Sequence, residues 1–416
     1  WRGAGTTGMT GTTVARQQGA ARAHAGSPRQ GGASGAVRGE LLAIACVAHH
    51  WRMEWALAIP TGEEAVELLP LGSLWWCRAI QQLFFILPSY DRPERLLKLI
   101  GLFSRARPAD GAQAAYSAAA AHLIVLTALM GDRDHSLAFL IFLEQVAMRS
   151  ESELLIRAWS AYAQTWFAHS LEAEPYLAFA SAQDACSQFA QAQAQHGLAQ
   201  ALLVLALAQA HLGALDEGIE KARTAYSMAQ GLKDPFLTYW CQVNLALLLS
   251  RHTNRPILDE ATALARQALT EVSDPGFRGI ARCALARALW RCGDAAQATA
   301  VAREDRQALG MVRLYALAID TTLIEALIAQ GEIAEACMVA ERGLAMLAEL
   351  GGAGWSEVPL RVAATAAFTA AGQLERAQFQ HDEARHQVEQ RAERISDPEW
   401  RTCYLTLVEE NVQALG

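Results

Sequence analysis

The sequence predicts an all-α fold, a right-handed superhelical solenoid of paired helices. Three observations carry this. A glycine or glycine-like helix breaker recurs at Gly131, Gly213, Asn254, Gly293, Gly331 and Gly372, and the last five are 41, 39, 38 and 41 residues apart. Each breaker lies between two amphipathic stretches, and self-similarity at a fixed period is the signature of a repeat array. Alanine, leucine and glutamine abound while prolines number only 12 in 416 residues, which favours helix because these residues lose little on entering one.

The elements follow in order. Residues 1–39 hold ten of the 30 glycines, five arginines and almost no large apolar side chain, so they are expected to be a disordered arm. Residues 40–111 are expected to form irregular helices. Leu41 to Leu57 reads as one helix carrying Trp51 and Trp55 on one face. Thr61 reads as the N-cap of a second, with Glu64 as its capping-box partner. Ser73 opens a third, and Glu94 to Phe103 is a fourth. Residues 112–395 then form about seven helix pairs. The first helix of each pair, A, is expected at about 112–130, 153–169, 197–212, 236–251, 276–292, 313–330 and 357–371. The second, B, is expected near 133–149, 173–193, 215–230, 258–272, 294–308, 332–350 and 373–394. The step from Gly131 to Gly213 spans two periods, with a weak mark near Leu171. Residues 396–416 read as one capping helix.

Five residues after most marks stands a small residue, Ser136, Gly218, Ala298, Ala336 or Ala377, where helix B would pack closely on helix A. That spacing resembles the tetratricopeptide repeat, with each helix about a turn longer than in the 34-residue unit. Leu171 to Pro175 and Asn254 with Pro256 depart from the pattern. A narrower resemblance rests on two end segments. Leu68-Leu69-Pro70-Leu71-Gly72-Ser73-Leu74-Trp75-Trp76 is similar to the segment that opens the repeat region of certain bacterial, myxobacterial-type multidomain proteins. These carry a serine/threonine kinase domain and a signal-transduction ATPase module. Ile395 to Asn411, with its closing Glu410-Asn411, is similar to their terminal segment, although Glu409 stands where a proline is usual. The resemblance implies a sensor or docking region that controls an upstream kinase or ATPase module.

Charge and composition limit the function. The formal net charge is −8 and residues 1–39 contain no acid, so the remainder carries −13, which argues against nucleic-acid binding. Eight scattered cysteines without a Cys-x-x-Cys pair read as reduced apolar side chains, and with no visible secretory signal they predict a cytoplasmic protein. Residues 112–130 lack formal charge, but polar and alanine content predicts a buried solenoid helix rather than a membrane span. The chain opens with Trp1, as a fragment or a translation from an uncertain start would.

No chemistry is expected. Gly3 to Gly8 matches the letters of a dinucleotide fingerprint but lacks the strand before it and the acid about 20 residues on. His381 and His386 are five residues apart and so do not share a helix face; no metal or cofactor is expected. Kinase and ATPase motifs are absent from the sequence, which predicts a non-enzyme. What remains is the inner face of the solenoid. Tetratricopeptide groove positions lie about ten, six and three residues before the turn mark. Here they are Asn244, Leu248 and Arg251; Cys283, Arg287 and Trp290; Thr321, Glu325 and Ile328. Asn244, Arg251, Arg287 and Glu325 are the candidate partner-binding residues, for a protein or peptide with a carboxylate that arginine forks would hold. On this reading the face is solvated, so replacing both arginines leaves the fold intact. An alternative is the sensor domain of an ATPase-type transcription activator.

Overall fold

The structure is a computed structural model and describes residues 35–87, 93–149, 153–304 and 306–416. Most of the expected disordered arm, with the glycine pattern at Gly3 to Gly8, lies outside the described residues. Its last five residues do not continue a coil: α1 begins at Gly35 and runs to Trp51. Gly39 is buried there, and a Cβ on it would meet Leu69 Cγ at 2.8 Å. A helix can therefore lie close against its neighbour at a residue whose composition alone points to coil.

Among the described residues four helices precede the repeats: α1, α2 (Trp55–Leu68), α3 (Leu74–Ile86) and α4 (Pro93–Arg105). The expected single helix from Leu41 to Leu57 is broken. Met53 adopts a left-handed φ of 59° and Trp55 starts α2. Thr61 is consequently inside α2, where its hydroxyl donates to the Leu57 carbonyl rather than capping an end. Pro70 to Ser73 form the turn into α3. Gly72 has φ +76°, its carbonyl accepts from Ala109 N at 2.9 Å, and Trp76 is fully buried against Phe103.

Seven helix pairs follow among the described residues. The A helices are α5 (Gln113–Met130), α7 (Leu154–Phe167), α9 (Gln195–His211), α11 (Pro235–Leu249), α13 (Pro275–Arg291), α15 (Arg313–Ala329) and α17 (Glu357–Ala370). The B helices are α6 (Arg133–Arg149), α8 (Pro175–Gln191), α10 (Leu215–Leu232), α12 (Arg255–Glu271), α14 (Ala295–Arg303), α16 (Ile333–Leu350) and α18 (Leu374–Glu393). Asp-Pro steps start three elements. Asp234 and Asp274 accept from Leu237 N and Phe277 N, and each following proline sits where no amide partner is needed. Five of the six breakers are left-handed glycines; Asn254 is instead the extended N-cap of α12 at φ −76°. At the weak mark a π turn, Ala168–Glu172, ends in Ala173 at φ 54°. The small residues five places on do let the helices approach: a Cβ on Gly218 would lie 2.7 Å from the Ala206 carbonyl oxygen. The expected helix over 294–308 is shorter, ending at Arg303 and giving way to a 3-10 turn, Arg306–Met311.

Each B helix packs on its own A helix and on the next one, and successive A helices pack together. The array is a right-handed superhelical solenoid with the A helices inside. It winds tightly enough to meet itself: α5 touches α15, Gly131 packs against Leu350, and the 3-10 turn Gly354–Ser356 packs on the π turn. Helix α5 is the one described helix long and apolar enough to cross a membrane, and 83% of it is buried within the fold. The expected single capping helix is two, α19 (Pro398–Leu407) and α20 (Glu409–Leu415). Helix α20 packs on α17 and α18.

Candidate functional site

The A helices surround a lumen, and the predicted groove positions meet there. Asn244 and Leu248 from α11, Arg251 from the turn that follows it, Cys283 and Arg287 from α13, and Thr321 from α15 line one cavity of about 90 Å³. A period near forty residues brings equivalent positions of successive A helices into register, so residues 36–42 apart in sequence become neighbours.

The face is not solvated, which corrects the expectation from sequence. Helix α20 covers it, and Glu410 reaches the arginines. Arg251 Nη2 donates to Glu410 Oε2 at 2.9 Å and Arg287 Nη2 donates to Glu410 Oε1 at 2.9 Å. Side-chain exposure is 19% for Arg251, 14% for Arg287 and 10% for Glu410. Arg291, one turn beyond Arg287, stacks on Trp290 and pairs with Glu409. Burial alone would raise the Glu410 carboxyl, but Arg251 and Arg287 outweigh it and hold it at about 2. Glu325 moves the other way. Burial lifts it to about 7 against the pull of Arg287, with Glu410 adding repulsion, and its Oε2 is buried without a hydrogen-bond partner. Asn244 is buried: its Nδ2 donates to the Trp240 carbonyl at 2.8 Å, and its Oδ1 accepts from Tyr315.

Sequence reasoning missed Glu409, Glu410 and Asn411. Asn411 Nδ2 donates to the Tyr404 carbonyl at 2.9 Å, folding α20 back against α19. The available signal was the closing Glu410-Asn411 motif, read as an end marker rather than as the counter-charge for the groove. Beside this site His169 and His211 stack at 4.5 Å and both face Trp355. Burial, with Arg251 adding to it, lowers His169 to about 3, so the imidazole is neutral near pH 7.

A second, larger cavity of about 480 Å³ lies where α1 and α3 close the other part of the lumen. Its walls include Trp51, Trp75, Phe85, Trp159, Phe236 and Trp240. His122 bridges this wall, pairing with Gln81 at 2.9 Å through Nδ1 and with Gln200 at 2.9 Å through Nε2.

No protein-family model matches the sequence, and no curated protein matches it. Solved structures are similar in fold. A Rap protein complexed with competence and sporulation factor aligns with TM-score 0.52 at 14% identity, covering 82% of this chain and 97% of that one. The fold is a tetratricopeptide-type repeat array. The Rap conjugation gene regulator of plasmid pLS20 in complex with the Phr* peptide aligns with TM-score 0.48 at 16% identity, over 83% of this chain and 95% of that one. The P58(IPK) tetratricopeptide domain aligns with TM-score 0.22 at 15% identity, over 88% and 99%. At such identities the likeness concerns architecture alone.

Proposed function

We propose that this chain is a non-catalytic protein-interaction module that holds an acidic segment of a partner in its lumen. In this reading it is the cytoplasmic sensor or docking part of a larger serine/threonine kinase or ATPase signalling protein. The observation that carries the proposal is that Arg251 and Arg287 already hold a peptide carboxylate, that of the chain's own Glu410. Two guanidiniums, Arg251 in the turn that ends α11 and Arg287 on α13, are a preformed receptor for one carboxylate, and each charge-assisted bond contributes roughly 1.5–3 kcal/mol. A partner's acidic residue would replace Glu410, and Asn244 and Glu325 would flank it. A protein of the same fold is described in complex with competence and sporulation factor. Regulation would follow from differential binding, because a partner that seats only when α20 lifts favours the opened state.

The test is a fluorescent peptide of residues 405–416 added to the full chain bearing Glu409→Ala and Glu410→Ala. It should bind saturably, weaken with salt, and bind the parent chain at least tenfold less tightly. Equal binding to both, or binding that persists when Arg251 and Arg287 are also replaced, would rule the reading out.

A further inference from the structure

The large cavity has features that the acidic-segment reading does not use. Its volume of about 480 Å³ suits a drug-sized molecule. Its walls are mainly aromatic and aliphatic, and they come from separate parts of the chain: the N-terminal helices, α5, α7, α9, α11 and α13. Such a wall is assembled only when the superhelix closes, so the space is a product of the tertiary fold rather than a gap between two neighbours.

Three polar groups in the lining lack the partners that buried or charged groups ordinarily have. Arg78, on α3, is exposed and makes no ion pair with a carboxylate among the described residues. Its contrast with the lumen's other arginines is plain: Arg251, Arg287 and Arg291 all have glutamate partners. His50 is 2% exposed and its Nδ1 has no hydrogen-bond partner; Gln81 is 7% exposed and its Oε1 has none. A buried polar atom without a partner costs free energy, so two in one cavity wall mark a place where a ligand supplies what the protein does not. The exposed Trp51 and Arg78 mark where the cavity meets solvent. Asp234, the one carboxylate in the lining, is engaged as the α11 N-cap by Leu237 N at 3.0 Å, with His196 beside it at 3.8 Å.

We propose that this cavity binds a small organic acid: an aromatic body packed among the indole and phenyl rings, and a carboxylate held by Arg78. The apolar walls supply area to bury, and the lone guanidinium supplies orientation and charge selection. His50 and Gln81 provide hydrogen-bonding positions that would read a polar substituent on the ring. The site is separate from Arg251 and Arg287 and does not depend on what those residues bind.

The probe is 2-naphthylacetate, with 2-naphthylacetamide as its uncharged match, titrated calorimetrically into the full chain. The acid should bind at one site per chain and at least tenfold more tightly than the amide. Arg78→Gln should abolish that preference, bringing the acid down to the affinity of the amide. Arg78 is exposed, so this variant should melt as the parent does; if it does not, the acid-against-amide comparison on the parent decides alone. Equal affinities for acid and amide, an unchanged preference in a folded Arg78→Gln, or no saturable binding up to millimolar concentration would overturn the proposal.

Discussion

Replacing Glu410 by alanine should release the C-terminal helix and leave most of the array standing. The carboxylate is 10% exposed and takes one bond of 2.9 Å from each of two arginines that are themselves 19% and 14% exposed. Removing one member of a buried ionic cluster costs about 3–5 kcal/mol, because the remaining charges are left desolvated and unpaired. The lower end applies here. Glu325 stands in the same cluster with its carboxyl raised to about 7, and part of that rise is repulsion from Glu410. Without Glu410 its carboxyl falls toward the ordinary range and Glu325 ionises, returning one negative charge to Arg287. The expected loss is therefore about 3 kcal/mol. That loss appears locally, as opening of the terminal helices, since α20 lies at the end of the array and can lift without separating the helix pairs from their neighbours. Hydrogen exchange of amides in residues 409–415 should accelerate by roughly two orders of magnitude at pH 7, while α9 and α11 change little. A cycle with Arg251→Ala should show coupling well above 0.5 kcal/mol. Unchanged exchange in residues 409–415 would mean that apolar packing alone holds α20, and the ionic argument would fail.

Acid should destabilise the fold well before carboxylates in the ordinary range titrate. Burial lowers His50 to about 3, with His122 adding to it, and burial lowers His122 to about 4. Folded values below the unfolded 6.5 mean that this stability is present above pH 6.5 and is lost as pH falls, by up to about 2 kcal/mol per histidine between pH 6.5 and 5. Glu325 acts oppositely over the same interval, since its raised carboxyl takes up its proton first in the folded state, but it is one group against several histidines. Melting temperature should fall steadily from pH 7 to 5; a flat profile would contradict buried neutral imidazoles. Asp320 is fully buried and accepts from Arg306 at 2.7 and 2.9 Å and from Arg342 at 2.6 Å, so Asp320→Asn should cost about 3–5 kcal/mol in urea unfolding of the middle repeats. Gly354 has φ +47° and a Cβ there would strike the Ser170 carbonyl oxygen, so Gly354→Ala should cost more than about 1 kcal/mol and quicken exchange in the π turn it packs on.

The helix pairs were readable because a left-handed turn needs glycine and a close helix crossing needs a small residue, and both demands recur at fixed spacing. Gly213 and Gly218 state one whole repeat junction between them. Where another device did the same work, the reading slipped. Met53 breaks a helix with no glycine, Ala173 ends a π turn, and Asn254 caps a helix rather than ending one. Local spacing also placed Asn244, Arg251, Arg287 and Glu325 on the inner face. It could not show that Glu410, 159 residues from Arg251, covers them, because a return of the chain's end leaves no period. The aromatic cavity was hidden for a related reason. Trp159 and Trp240 are each the sixth residue of an A helix, but Trp51 ends a helix outside the repeats, and the three become one wall only through the curvature of the array.

The covering of the arginines has a quantitative consequence for any partner that needs them. If the contacts of Glu410, worth about 3 kcal/mol, set the docking free energy of α20, the helix is open in roughly one molecule in 150, and in fewer where its other contacts add to that. A partner that binds only the open state then has an apparent dissociation constant about 150-fold above its intrinsic one. An intrinsic affinity near 10 nM would be observed near about 1.5 μM, and whatever weakens α20 would recover the difference. Arg291 with Glu409 and Asn411 with the Tyr404 carbonyl are the contacts that set this gain, because they hold α20 in place without occupying Arg251 or Arg287. Substituting Asn411 should therefore strengthen the binding of an acidic segment while leaving its receptor untouched. Substituting Arg251 should weaken binding whatever the state of the helix. Opposite responses to these two changes separate a self-occupied receptor from a structural ion pair, for which neither substitution would affect binding.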